Sequence, residues 1–143
     1  MAKGPKGRIQ RTPGKGADSE KVTINLGLID LGQIDLLVQE GFYSNRTDLI
    51  RTAVRNQLQL HGDVIRQSVA RKSLVLGLHH YSRADLQAVH DAGQKLHIQV
   101  LGLASIAADV TPELALATIE SVTVLGALQA SPAVKAALAG RIR

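Results

Sequence analysis

From Lys21 to Leu26 polar and apolar side chains alternate, with Lys21, Thr23 and Asn25 on one parity and Val22, Ile24 and Leu26 on the other. A period of two belongs to a strand with one wet face and predicts a short strand closed by Gly27. The period then changes. Leu31, Ile34 and Val38 recur at helical spacing, Asp30 and Gln33 are placed as a capping box, and Gly41 stands where a C-cap glycine would. This predicts a first helix of about ten residues. Asn45 and Asp48 form a second capping box ahead of Leu49, Ile50, Ala53, Val54 and Leu58, the apolar stripe of a second helix running to about Leu60, with Gly62 as its stop. Asp63–Lys72 reads either as a linker or as a helix extension.

One strand followed by two helices does not close its own hydrogen bonds. Backbone N–H and C=O groups need partners, and residues 21–60 contain no second strand to supply them. A second copy of the chain is the simplest source. It would complete a two-stranded antiparallel ribbon across a two-fold axis, so this accounting predicts an obligate homodimer.

The second half of the chain carries a different pattern. Val75-Leu76-Gly77 recurs as Val100-Leu101-Gly102 and as Val124-Leu125-Gly126, at spacings of 25 and 24 residues. Each triplet is followed by a helix-start signal: Ser82 with Asp85, Thr111-Pro112-Glu113, and Ser131-Pro132. Leu86 and Val89, then Leu114, Ala117 and Ile119, then Val134, Ala137 and Leu138 supply the apolar positions of the three helices. Three strand-turn-helix copies form a small repeat array with an open edge at each end. The asparagine and spaced leucines of leucine-rich repeats are missing.

Charge separates the two halves. Residues 1–20 carry five basic and two acidic side chains, residues 21–72 seven and five, and residues 73–143 five of each. The whole net charge of +5 therefore lies in the first half, which suits a polyanionic partner there and a protein partner for the rest. Residues 1–19 hold four glycines, two prolines and five basic residues, with Ile9 as the only large apolar group, and read as a disordered basic arm.

Composition excludes several functions. The absence of cysteine removes disulfides, thiol catalysis and thiolate metal sites. The longest uncharged stretches, Leu96–Ala108 and Ser121–Val134, are too short for the roughly 18–20 residues of a membrane span. A cytoplasmic protein is expected. Ser82, Asp85 and either His79 or His90 make a triad on paper only, without a nucleophile elbow or oxyanion glycines. The glycines of the arm lack phosphate-loop spacing. No catalytic residue, cofactor or metal is therefore assigned. His79, His80, His90 and His97 matter only if three or four of them converge, and neighbours His79 and His80 on one strand point to opposite faces.

The segment Gly41-Phe42-Tyr43-Ser44-Asn45-Arg46-Thr47-Asp48-Leu49-Ile50-Arg51, with the alternating strand before it, resembles the ribbon-helix-helix family of dimeric DNA-binding proteins that includes the Arc and methionine repressors. The resemblance covers residues 20–62 and rests on the strand, the glycine and a turn of the form S-x-R-T-D. The chain departs from the family where the first helix begins Leu26-Gly27-Leu28-Ile29-Asp30-Leu31-Gly32 instead of with a proline and acidic residues. The resemblance implies a ribbon laid in the major groove, with Lys21, Thr23 and Asn25 at base edges. It also implies that Ser44, Asn45, Arg46 and Thr47, at the start of the second helix, meet phosphates.

The expected fold is thus α+β: arm 1–19, ribbon-helix-helix domain 20–62, linker or helix extension 63–72, and an α/β domain of three repeats over 73–143 that joins subunits. The expected function is a sequence-specific, nucleoid-associated DNA-binding repressor, with double-stranded DNA and itself as partners, dimeric through the ribbon and tetrameric or larger through 73–143. The alternatives are an assembly module with a partition, antitoxin or architectural role, and a ligand- or metal-sensing regulator whose second half is a ferredoxin-like domain, as in nickel-responsive regulators. Deleting residues 1–19 should lower affinity for random-sequence DNA and flatten its salt dependence while leaving folding unchanged. Binding titrations across a salt series check this, and an unaltered slope would make the arm a passive tail.

Overall fold

A computed structural model describes residues 19–143. The arm falls almost wholly outside them. The described chain divides into two units, Glu20–Ser68 and Val69–Arg143, and each has its own logic.

In the first unit residues 20–27 belong to no helix or ladder, and the chain then enters helix α1 (Leu28–Gln39). The strand expected over Lys21–Leu26 is not formed within one chain, because a single strand has no ladder to join. The helix also starts earlier than its polar residues suggested. Gly27 occupies the N-cap without a side-chain bond, and Asp30 lies in the first turn instead of capping it. At the other end Gly41 (φ 86°) closes a Schellman motif, with Phe42 N–H on Leu37 O at 3.0 Å and Gly41 N–H on Val38 O at 3.1 Å.

Helix α2 (Arg46–Leu60) is capped by Asn45, whose side-chain oxygen accepts from Asp48 N–H at 2.8 Å. Gly62 is not its stop. The break falls at His61, and Gly62 opens helix α3 (Gly62–Arg71), so the segment left between linker and helix extension is a separate helix. None of the three helices contains a buried residue.

The second unit is layered. Strands β1 (Val75–Tyr81), β2 (Leu96–Ile106) and β3 (Ile119–Gln129) form one parallel sheet in that order. Helices α4 (Arg83–Asp91), α5 (Pro112–Thr118) and α6 (Pro132–Leu138) follow the strands in turn. Ser82, Thr111 and Ser131 cap them, each accepting from the backbone N–H three residues on, and Pro112 and Pro132 stand in the first turn, where no amide partner is needed. Ile119 belongs to β3 and not to the helix before it, since α5 passes into the strand without a loop.

Register places the three triplets side by side: Val75 beside Val100 beside Val124, and Gly77 beside Gly102 beside Gly126. One parity of β2, namely Ile98, Val100, Ala104 and Ile106, is buried with Val122 of β3 and with Leu86, Ala115, Val134 and Leu138 of the helices. All three helices therefore cover the same face of the sheet. The last strand's edge, expected to be open, is covered at one position. Arg143 N–H donates to Val122 O at 2.8 Å, Ile142 forms a parallel bridge with Val122, and Arg141 Nη1 donates to Leu116 O and Ile119 O, each at 2.7 Å. Among the described residues the outer edge of β1 is unpaired, and that of β3 is paired at Val122 alone.

The glycine row is a packing requirement. Gly102 and Gly126 have φ of 137° and 120°, and a Cβ at either would run into the carbonyl oxygen of the glycine on the preceding strand. Gly77 has φ 131°, but a Cβ there meets open space. Gly126→Ala and Gly102→Ala should each destabilise this unit by about 2–5 kcal/mol, combining dihedral strain with overpacking, whereas Gly77→Ala should cost about 1–3 kcal/mol from the dihedral alone. Chemical denaturation of the three variants measures the ranking, and equal losses would remove the packing argument.

Candidate nucleic-acid interface

The residues proposed for base contact lie on the segment before α1, which belongs to no helix or ladder. Lys21, Thr23 and Asn25 are exposed, and so are their apolar neighbours, Val22 at 79% and Ile24 at 59%. In one chain both parities face water, so the division into wet and packed faces needs a cover that a single copy does not provide. The same deficit runs through the unit. Leu28, Ile29, Leu36, Phe42, Val54 and Leu58 are all exposed.

The turn between α1 and α2 is better defined. The expected Asn45–Asp48 capping box forms only in half: Asn45 holds Asp48 N–H, but the Asp48 carboxylate accepts from Ser44 N–H, one residue before the cap, at 3.0 Å. Leu49 N–H returns to Asn45 O. The amides of Arg46 and Thr47 have no hydrogen-bond partner among the described residues, and they sit at the positive end of the α2 dipole. Two backbone donors at a helix start form an anion-binding arrangement, although the Asp48 carboxylate in the same turn offsets part of its positive potential. Ser44 and Asn45, both placed at phosphates by resemblance, are thus engaged in the cap, Ser44 through its N–H and Asn45 through its side chain.

Arg46 has a second attachment. Its Nε and Nη2 donate to the two carboxylate oxygens of Asp35 on α1, each at 2.8 Å, in a bidentate fork. The hydrogen bond from Arg46 holds Asp35 below the usual carboxylate range, and the same bond raises Arg46 further. Both side chains remain about half exposed, so the pair fixes α1 against α2 while staying accessible. Sequence reasoning missed Asp35: the two partners are eleven residues apart across a turn, and no local motif joins them. Arg51 and Arg55 were also passed over. They are exposed, lie one helical turn apart on α2 and form no ion pair among the described residues. Their spacing was a readable sign of a basic stripe.

The histidines of the second unit do not gather. His80 Nδ1 lies 2.8 Å from Ser105 Oγ and His97 Nδ1 lies 2.9 Å from Ser121 Oγ, two cross-strand pairs on the sheet face away from the helices. His79 has the opposite parity and lies beside Ala104. Among the described residues no three histidine, cysteine or acidic side chains come together as a metal site, and no helix is long and apolar enough to cross a membrane.

A segment without ladder partners, helices α1 and α2 with a capped turn between them, helix α3 and a parallel α/β layer are thus the elements of the described chain. The chain belongs to the ribbon-helix-helix transcriptional regulator family, whose model matches residues 17–135. The match runs past the two-helix unit through all three strands and into α6, so the second unit is part of what the family model describes. No curated protein and no solved structure matches the chain.

The Arg46–Asp35 pair generates a pH dependence. A carboxylate whose value is lowered on folding contributes stability that is present above its unfolded value, near 3.8, and is lost as the pH falls through the folded one. Asp35→Asn should therefore lower the thermal midpoint at neutral pH, with the gap to the parent chain closing as the pH drops below about 4. A melting series from neutral to acid pH reads this directly. A gap that persists at low pH would assign the loss to something other than the ion pair.

Proposed function

We propose that this chain is a sequence-specific DNA-binding repressor that works as a homodimer, its two Lys21–Leu26 segments pairing as an antiparallel ribbon in the major groove. The observation that carries the reading is the incompleteness of residues 20–68. The segment has unpaired backbone groups, exposed apolar side chains on every element and no buried residue. Such a unit gains its core only by interlocking with another. Pairing two copies satisfies the ladder, covers Val22 and Ile24, and leaves Lys21, Thr23 and Asn25 outward.

On that arrangement each position has a chemical role. Lysine donates to guanine O6 and N7, asparagine binds adenine through two bonds, and threonine donates or touches a thymine methyl. The amides of Arg46 and Thr47 receive a phosphate, and the Asp35 fork orients Arg46 beside them. Arg51 and Arg55 add positive charge along α2. Residues 73–143, with zero net charge, join dimers into a tetramer, and two linked ribbons hold two sites with the gain in avidity that linkage brings. Its place is the cytoplasm, on the nucleoid. The open sheet face of the second unit also supports an assembly role as a second reading, with DNA contact as one part of it.

Thr23→Ala and Asn25→Ala should each reduce discrimination between the cognate site and a scrambled duplex by about 1–3 kcal/mol per lost base contact, with little change in folding stability. Arg46→Ala, by contrast, should weaken both duplexes alike. The cognate site is first obtained by selecting bound fragments from a random pool with the full chain. Equal losses on both duplexes for Thr23→Ala and Asn25→Ala would reassign those residues to backbone contact.

A further inference from the structure

The helices cover one face of the parallel sheet; the other face is bare in a single chain. Side chains alternate along a strand, so the parity opposite the core faces away from the helices. It presents two apolar rows across the strands: Leu76, Leu101 and Leu125, then Leu78, Leu103 and Ala127. Leu76 is 71% exposed, Leu78 62% and Leu125 50%. No position of that parity on the three strands carries a charge, and its two histidines each take a serine of the next strand. Parallel sheets occur almost only with both faces covered, and this one has a single layer of helices.

We propose that this face is covered by the same face of a second copy of the chain. Three features select that occupant. First, a two-fold operation brings leucine rows onto leucine rows, and an uncharged surface of this kind has no electrostatic means of selecting a foreign partner. Second, the area is small. Three strands about 4.8 Å apart, over nine residues at about 3.3 Å each, make a footprint on the order of 400 Å² per copy. One such contact lies below the roughly 1,200 Å² total of a stable stand-alone complex, while two contacts made together reach the standard size of about 1,600 Å². Third, chains already joined in pairs through their first units can make two contacts at once. A free partner with one matching face makes only one. This step rests on the ribbon dimer proposed above. The resulting assembly is two ribbon dimers held by two face-to-face sheet contacts.

The chain has no cysteine, so single cysteines report on the contact in the full-length protein. Leu101 stands at the centre of the face on the middle strand, and Ala88 is exposed on α4, on the helical side. A short bis-maleimide suited to the roughly 10 Å spacing of packed sheets should link Leu101→Cys chains in pairs and leave Ala88→Cys chains unlinked. Adding Leu76→Asp and Leu125→Asp, at positions already exposed in one chain, should abolish that linkage. The same pair of substitutions in the parent chain should halve the mass by light scattering from four chains to two, with circular dichroism and binding to a short single-site duplex unchanged.

Absence of Leu101→Cys linkage above the Ala88→Cys level, in a chain that is dimeric and binds DNA, would overturn the face contact and leave the ribbon reading standing. Linkage with a mass of two chains would keep the face contact, place it inside one ribbon dimer and overturn the tetramer. A single-chain mass with no DNA binding would instead overturn the ribbon reading on which the assembly depends.

Discussion

Main-chain hydrogen bonding is the constraint on which both units turn. A peptide N–H or C=O that leaves water must find a partner, and the two halves of this chain meet that demand in opposite ways. Residues 75–129 meet it between neighbouring strands, in a parallel ladder whose strands are set beside one another by helical crossovers and whose outer edges are left mostly free. Residues 21–26 do not meet it within one chain. The first unit therefore has no buried core within one chain, while the second has its own. The exposed apolar side chains of α1 and α2 express the same incompleteness in hydrophobic terms.

How much of this was legible in the sequence depended on the range of the interaction. Caps were readable because they act over three residues: Asn45, Ser82, Thr111 and Ser131 each stand where a short side chain meets an amide three positions on. The valine-leucine-glycine triplets located the strands, and register places them side by side. Failures came where a position depends on chain that is distant in sequence. Asp35 and Arg46 join across a turn, and the carboxyl-terminal residues 141–143 turn back to β3 and α5. Local signals also misled at element ends. Gly62 starts a helix instead of ending one, because the break comes at His61, and Ile119 continues directly from helix into strand.

Arg46 shows how one side chain serves two demands. Its bidentate bond to Asp35 fixes the angle at which α2 begins, and hence where the unpaired amides of Arg46 and Thr47 point. The ion pair is exposed, so its contribution to folding is small. Its geometric effect is larger, because a planar guanidinium gripped at two points leaves the turn few alternatives.

Residues 141–143 have a consequence for strand addition at the outer edge of the sheet. Sheets grow by adding strands to free edges, and a molecule with two free edges can propagate without limit. Here Ile142 and Arg143 occupy part of β3's outer edge, and Arg141 fastens the tail to the carbonyls of Leu116 and Ile119. The contact falls at Val122 alone, so β3 is blocked at one register position while β1 is open on its outer side. A strand added to β3 across Val122 would have to displace residues 141–143, whereas one added to β1 would displace nothing among the described residues.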